Sequence, residues 1–241
     1  MKATFTFTVD GLAVDRFRRL KASMLLYYMQ EAAGKHFEML KDPRLDTNLF
    51  WAVTRHGLVI NRLPMEGETV TVETWPMPTT RVAYPRAVYF YDEAGNELAR
   101  ATSLWVLMDP ESRTMVLPGK SGVAVEGFAQ GDEVPVPRSL PSRPLENTEG
   151  RRVTYSLLDG NGHMNNTRYL DWVMDLPGSC YHAGHTPREI TVCYLTEALE
   201  GQDLTLGWQL EDGLLQVDAH RDDARVFAAQ VKFAANDGQK V

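Results

Sequence analysis

The chain has 241 residues, 44% of them hydrophobic, which is enough for one large domain or two small ones with cores of their own. Its formal charge is −7 and it carries no long Lys/Arg-rich run, which excludes the basic face that nucleic-acid binding requires. No apolar run approaches the ~20 residues of a membrane span, and two cysteines, Cys180 and Cys193, are too few for a disulfide framework, so a reducing cytoplasm is the expected setting.

The N-terminal MKATFTFTVDG alternates Phe5, Phe7 and Val9 with Thr6 and Thr8, and reads as a half-buried strand rather than a signal peptide. Residues 21–41 follow with Met24, Leu25, Tyr28, Met29, Ala32, Phe37 and Leu40 near helical spacing; Ser23 is the expected N-cap and Gly34 a weak interruption. TVTVETWPM then alternates, and RVAYPRAVYFYDEAGNELARATSLWVLMD reads as two long strands joined by a turn over 93–96. Between 117 and 150 the composition shifts to scattered Pro, Gly and charge, read as a linker with little regular structure. The Gly119-Lys-Ser within it is not a phosphate loop, because Thr114 stands where that motif needs its first Gly.

After the linker the plan repeats. RRVTYSLLD is strand-like, NNTRYLDWVMDL is a helix ending at Pro177-Gly178, and REITVCYLTEA, DLTLGWQLED, GLLQVDAHRD and RVFAAQVKFAA read as strands with tight turns. Both halves run strand, helix, then several antiparallel strands, which predicts an α+β layer fold. The expected boundaries are a first domain over 1–125, a linker over 126–148 and a second domain over 149–241.

The densest polar chemistry is LLDGNGHMNNTRYLDWVMD. Asp159, Asn161 and His163 alternate and can converge on one side of an extended or turning segment. The bland reading is local: Asp159-Gly160 as a turn, Asn165 or Asn166 as a helix cap. The functional reading is that donors gathered where a buried helix begins can stabilise an oxyanion beside an apolar site. Two-residue spacing alone does not choose between them.

The run Asp159-Gly-Asn161-Gly-His163-Met-Asn165-Asn166-Thr-Arg-Tyr169 closely resembles the signature of the acyl-acyl-carrier-protein thioesterases of plants and bacteria. So does YLTEALE, which places Glu197 34 residues after His163, and the first-half helix LKASMLLYYMQEAAGKHFEML resembles that family's first-domain helix. The resemblance implies two tandem hotdog domains, each an antiparallel sheet wrapped around a long helix. It implies hydrolysis of fatty acyl thioesters, with acyl carrier protein as partner and no cofactor. It assigns Asp159, Asn161, His163 and Glu197 as the catalytic set. Asn161 and His163 orient and polarise, and one of the two carboxylates activates water or attacks; which one stays open. The fatty chain is expected in the first domain, with Met24, Leu25, Tyr28 and Met29 as lining residues; ordinary core packing explains each of them equally well. Tyr169 reads as core packing.

The first half has Asp15 at the corresponding place but no His or Asn, which implies one equipped site per chain. Many plant members carry a Cys directly after the Glu; here that position is Ala198, which closes a thiolate route through it. Arg16, Arg18, Arg19 and Lys21, with Arg151 and Arg152, are the densest basic groups for an acidic carrier, although such clusters are more often a solvated face. Cys180, His182 and His185 have zinc-like spacing without a clear fourth ligand, and no metal is expected. The competing readings are an acyl-CoA thioesterase, a hotdog hydratase or dehydratase, and an acyl-binding module without turnover. A homodimer is compatible with all of them.

Overall fold

A computed structural model describes residues 2–40, 42–45, 47–125, 131 and 134–236. The chain divides into two compact units, one of Met1–Lys21 with Tyr27–Pro137, the other of Ala22–Leu26 with Arg138–Val241.

In the first unit the strands are β1 (Ala3–Thr8), β2 (Phe50–Ile60), β3 (Thr69–Pro76), β4 (Tyr84–Tyr91), β5 (Glu97–Met108) and the short β6 (Met115–Val116). They pair antiparallel in the order β1-β3-β4-β5-β2, with β6 on β5. The Thr/Phe alternation of β1 is realised: every Thr is exposed and Phe5 and Phe7 are half-buried, opposite Val72 and Val70. The β4–β5 turn forms because Asp92 Oδ1 accepts the Asn96 amide at 2.8 Å and Gly95 takes a positive φ of 82°. β2 is the strand that sequence patterning did not single out. Its centre, Thr-Arg-His-Gly, is too polar to alternate, and the register slips between Val53 and Arg55.

The long helix α1 (Ala22–Leu40) begins one residue before the expected cap, so Ser23 lies buried inside its first turn rather than capping it; Lys41 is outside the described residues. Within the first unit α1 buries Tyr28, Met29, Ala32 and Ala33, and Tyr28 stacks on Phe7 at 4.4 Å between ring centroids.

The expected linker is only partly irregular. A single helical turn, α2 (Pro118–Ser121), lies within 117–150 and strand β7 (Asn147–Arg152) begins there, while 126–130, 132 and 133 are outside the described residues. The remainder is extended but fastened. Pro135 O accepts Thr102 Oγ1 at 3.1 Å and Pro137 O accepts Arg55 Nη1 at 2.7 Å, both within the first unit. Position 57 has to be glycine there, since a Cβ would stand 2.8 Å from Pro137 Cβ. Further on, Leu140 O accepts Arg225 Nη1 at 2.9 Å and Ser142 Oγ donates to Asp218 Oδ2 at 2.9 Å, both within the second unit.

The second unit adds α3 (Asn166–Asp175), α4 (Gly178–Gly184), β8 (His185–Tyr194), β9 (Asp203–Glu211), β10 (Leu214–Arg221) and β11 (Ala224–Ala235). Its strand order is β8-β11-β10-β9-β7, all antiparallel. α3 ends at Asp175, just before the expected stop at Pro177-Gly178, and α4 follows at once with Pro177 at its N-cap position. α3 buries Tyr169, Leu170, Trp172 and Val173, and Tyr169 meets Phe227 of β11 edge-on at 4.9 Å. Each unit is thus a sheet with helical apolar faces packed into it. Among the described residues no helix is long and apolar enough to cross a membrane.

His56 on β2 is fully buried, and burial pushes its pKa from 6.5 down to about 3. The unfolded chain therefore binds a proton that the folded chain refuses, and stability present above about pH 6.5 is lost as pH falls toward 3. Unfolding free energy measured in urea should fall between pH 7 and pH 4.5, by at most about 1.4 kcal/mol per pH unit for this group. The slope should be shallower in His56→Asn.

Candidate active site

The site is built from a loop that the chain ties with its own backbone. Asp159 N donates to His163 O at 2.8 Å and Gly162 N to Asp159 O at 3.0 Å, closing a tight turn. Gly162 takes a φ of 79°, a conformation suited to glycine. Asp159 Oδ1 accepts the amides of Asn161 at 2.8 Å and His163 at 3.3 Å. The chain then enters α3 through Asn165, whose Oδ1 accepts Thr167 N at 3.0 Å and Thr167 Oγ1 at 2.8 Å. Of the two asparagines expected as cap, Asn165 therefore serves.

Two backbone contacts carry this loop to the segment after β8. Met164 N donates to Ala198 O at 2.8 Å, and His163 bridges Leu199. They bring His163 Nδ1 to 3.5 Å from Glu197 Oε1, within ion-pair distance when the imidazole is protonated. The side chains are 24% and 47% exposed, so solvent reaches both. The Glu197 segment is held from behind: Arg221 Nη1 donates to Glu197 O at 3.3 Å and to Gln202 Oε1 at 2.6 Å, and that Gln202 oxygen also accepts Leu199 N at 2.9 Å.

Of the four expected catalytic residues, the structure pairs His163 with Glu197. It commits one oxygen of Asp159 to the loop backbone and leaves Asn161 exposed at the loop tip. Tyr169 is buried as expected of core, yet its phenol also lies against the Ala198 backbone amide and near Glu197 and Asp159. Burial, then those two charges, hold its pKa above the ordinary tyrosine value. Arg221 and Gln202 were not found from sequence; no spacing links them to His163, Arg221 arriving from the end of β10 and Gln202 from the turn that bonds back to Leu199.

The four expected lining residues lie on the first two turns of α1. Leu25, Tyr28 and Met29 are buried and Met24 partly so. The first unit holds a cavity of about 170 Å³ farther along the helix, lined by Ala33, Phe37 and Leu40, with Trp51, Tyr84 and Trp105 from the sheet. Arg86 also borders it, with Nη1 3.0 Å from His36 Nδ1 and 3.2 Å from Thr74 Oγ1; burial lowers its pKa to about 10, so it stays charged at neutral pH.

Most of the basic groups noted in the sequence are in ion pairs: Arg18 with Glu66, Arg19 with Asp15, Arg151 with Glu149 and Asp175, and Arg152 with Asp203. Paired surface charges project a weaker field than their count suggests. In the Cys180-His182-His185 segment, His182 Nε2 donates to Met174 O at 2.7 Å, His185 Nδ1 donates to Tyr181 O at 3.0 Å, and Tyr181 stacks on His185. Those rings brace α4. Among the described residues no group of three or more His, Cys, Asp or Glu is placed to hold a metal ion.

Two family models match the chain, the acyl-ACP thioesterase N-terminal domain over 2–117 and its C-terminal domain over 145–234. A chloroplastic palmitoyl-acyl carrier protein thioesterase of Gossypium hirsutum is 30% identical over 223 residues, covering 83% of this chain and 52% of the relative. The chain spans about half the length of the curated relatives it matches. Among solved structures, an acyl-ACP thioesterase from Bacteroides thetaiotaomicron superposes with a TM-score of 0.86 at 20% identity, over 97% of this chain and 98% of the other. The 12:0-ACP thioesterase of Umbellularia californica gives 0.80 at 22% identity, over 98% of each. At these identities the likeness establishes the fold, which is the tandem hotdog arrangement expected from the sequence.

Since Asn165 satisfies an otherwise orphaned amide of α3, Asn165→Ala should lower the unfolding free energy by about 1 kcal/mol in urea titration. Thr167→Ser, which keeps the hydroxyl that Asn165 accepts, should cost less.

Proposed function

The chain belongs to the acyl-ACP thioesterase family, and from that membership we propose that it hydrolyses fatty acyl thioesters of acyl carrier protein to free fatty acid and holo-carrier protein. The observation that carries this reading is the His163–Glu197 pair at 3.5 Å beside the start of α3. Hydrolysis needs a base for water, donors for the carbonyl oxygen and a proton for the departing sulfur. The His–carboxylate pair supplies the first and the last: it takes a proton as water oxygen bonds to the carbonyl carbon, and returns it to sulfur as the C–S bond breaks. The Asn161 amide, on the exposed tip of the loop, is the side-chain donor for the carbonyl oxygen.

The second domain is the catalytic one in this reading, and the first houses the acyl chain. Met24, Leu25, Tyr28 and Met29 shape the early helix. The cavity around Phe37, Leu40, Trp51 and Trp105 provides apolar volume in the first unit. The partner is an acidic carrier protein bearing a fatty acyl group, and the reaction withdraws chains from carrier-bound fatty acid synthesis. Free Cys180 and Cys193 suit a reducing cytoplasm, where we place the protein.

The test is thiol release from carrier-protein thioesters and matched CoA thioesters of medium to long chain. Carrier thioesters should be preferred. His163→Ala and Glu197→Ala should each lose at least about a hundred-fold in turnover while remaining folded. A preference for CoA would move the protein to acyl-CoA hydrolysis, and near-normal turnover in both variants would remove the site assignment.

A further inference from the structure

The chain contains its own control for the catalytic loop. In the first unit, Asp15 N donates to Arg19 O at 2.8 Å and Arg18 N to Asp15 O at 2.9 Å. Asp15 Oδ1 accepts the amides of Phe17 at 2.8 Å and Arg19 at 3.0 Å. Arg18 takes a positive φ of 61°. These are the bonds of the Asp159 loop, residue for residue, with Gly162 at the place of Arg18.

The likeness continues outward. Leu20 N donates to Pro64 O at 2.7 Å and Arg19 bridges Met65, as Met164 N donates to Ala198 O at 2.8 Å and His163 bridges Leu199. Lys21 N donates to Ala13 O at 3.0 Å, as Asn165 N does to Leu157 O at 2.9 Å. Val14 bridges Leu20 as Leu158 bridges Met164. The frame therefore places Phe17 at the position of Asn161, Arg19 at that of His163 and Leu63 at that of Glu197.

Three of the four reactive positions have thus lost their chemistry in the first copy, and the aspartate alone has been kept. Asp15 has neither a histidine nor a second carboxylate in this frame: the Glu197 position is Leu63, buried at 6% exposure, and Asp15 Oδ2 accepts Arg19 Nε at 3.0 Å. What it still does is fold the loop. From this internal comparison we infer that Asp159 is a positioning residue, whose carboxylate oxygen holds the backbone that aims Asn161 and His163, and that Glu197 is the carboxylate that takes the proton from water. The inference rests on the hydrolase reading above for the role of Glu197, and on the loop geometry alone for that of Asp159.

An amide side chain separates the roles. Asparagine keeps an oxygen that can accept the two backbone amides but is no base and no nucleophile. With acyl-carrier-protein thioesters, Asp159→Asn should stay within about ten-fold of the parent in kcat/KM, the scale of exchanging a charged for a neutral acceptor. It should also keep the acid limb of the pH–rate profile. Asp159→Ala should lose at least about a hundred-fold, and Glu197→Gln should lose that much and the acid limb with it. If Asp159→Asn is as inactive as Glu197→Gln, or loses the acid limb, Asp159 is the base and the inference is wrong.

A second measurement needs no turnover and so stands whatever the substrate proves to be. Hydrogen exchange of the Asn161 and His163 amides should be unchanged in Asp159→Asn and faster in Asp159→Ala. The Phe17 and Arg19 amides should behave the same way in Asp15→Asn and Asp15→Ala. Unaltered exchange in both alanine variants would show that neither aspartate holds its loop. A parent with no activity on any thioester, but with the expected exchange pattern, would refute the hydrolase reading and leave the positioning role intact.

Discussion

The hydrogen bond from Met164 N to Ala198 O, 2.8 Å long, joins two segments that are 34 residues apart in the chain, and the chemistry of the second unit depends on it. Without it His163 and Glu197 have no reason to meet: one lies on a turn before a helix, the other beyond the end of a strand. A backbone bond suits this task because it is indifferent to side-chain identity. The frame can then be kept while the residues it presents are changed, and the Leu20–Pro64 bond of the first unit shows that this has happened.

Polar groups inside the first unit follow a different logic. His36 is buried against the half-buried Arg86, and the imidazole is held neutral, its pKa lowered to about 4 by burial and then by the adjacent guanidinium. A neutral Nδ1 facing the Arg86 N–H can accept from it, so among the described residues the guanidinium is met by the acceptors His36 and Thr74. Satisfying a buried cation with neutral acceptors costs stability that a salt bridge of good geometry would partly restore. The tilt of this region toward acid sensitivity is a consequence of how it is packed.

Much of this was legible in the sequence because it depends on local pattern. The Thr/Phe alternation of β1, the long apolar face of α1 and the turn at Asp92–Asn96 each carry their cause within a few residues. The candidate constellation was legible for a related reason: Asp159, Asn161 and His163 are local, and Glu197 is reached through family resemblance; the structure brings His163 and Glu197 together. β2 was missed because its buried polar centre, with His56 in it, breaks the alternation that marks a strand. Arg221 was missed because its contact with Glu197 comes from the end of a strand 24 residues on, a non-local approach, and Gln202 because its bond to Leu199 depends on a side chain folding back over a turn. The bonds that fasten 135–142 to each unit were hidden behind a composition that reads as a free linker. The boundary between Asn165 and Asn166 as cap turned on which oxygen reaches Thr167 N, a matter of a single residue.

The two copies of the loop also show what the candidate active one gives up. In the first unit the residue four places after the aspartate is Arg19, and it closes an ion pair on Asp15 Oδ2 from both Nε and Nη2. That staple braces the turn from its side-chain face as well as from its backbone. In the second unit the same position is His163, whose ring is turned toward Glu197. The imidazole cannot serve both carboxylates as the guanidinium serves one, so a group useful for moving protons replaces a group useful for holding the turn. The second loop takes Gly162 where the first tolerates Arg18 at positive φ, which relieves backbone strain at the point where side-chain bracing was removed. On the proposed reading, this frame exchanges a stabilising pair for a reactive one, with the loss offset by glycine in the backbone.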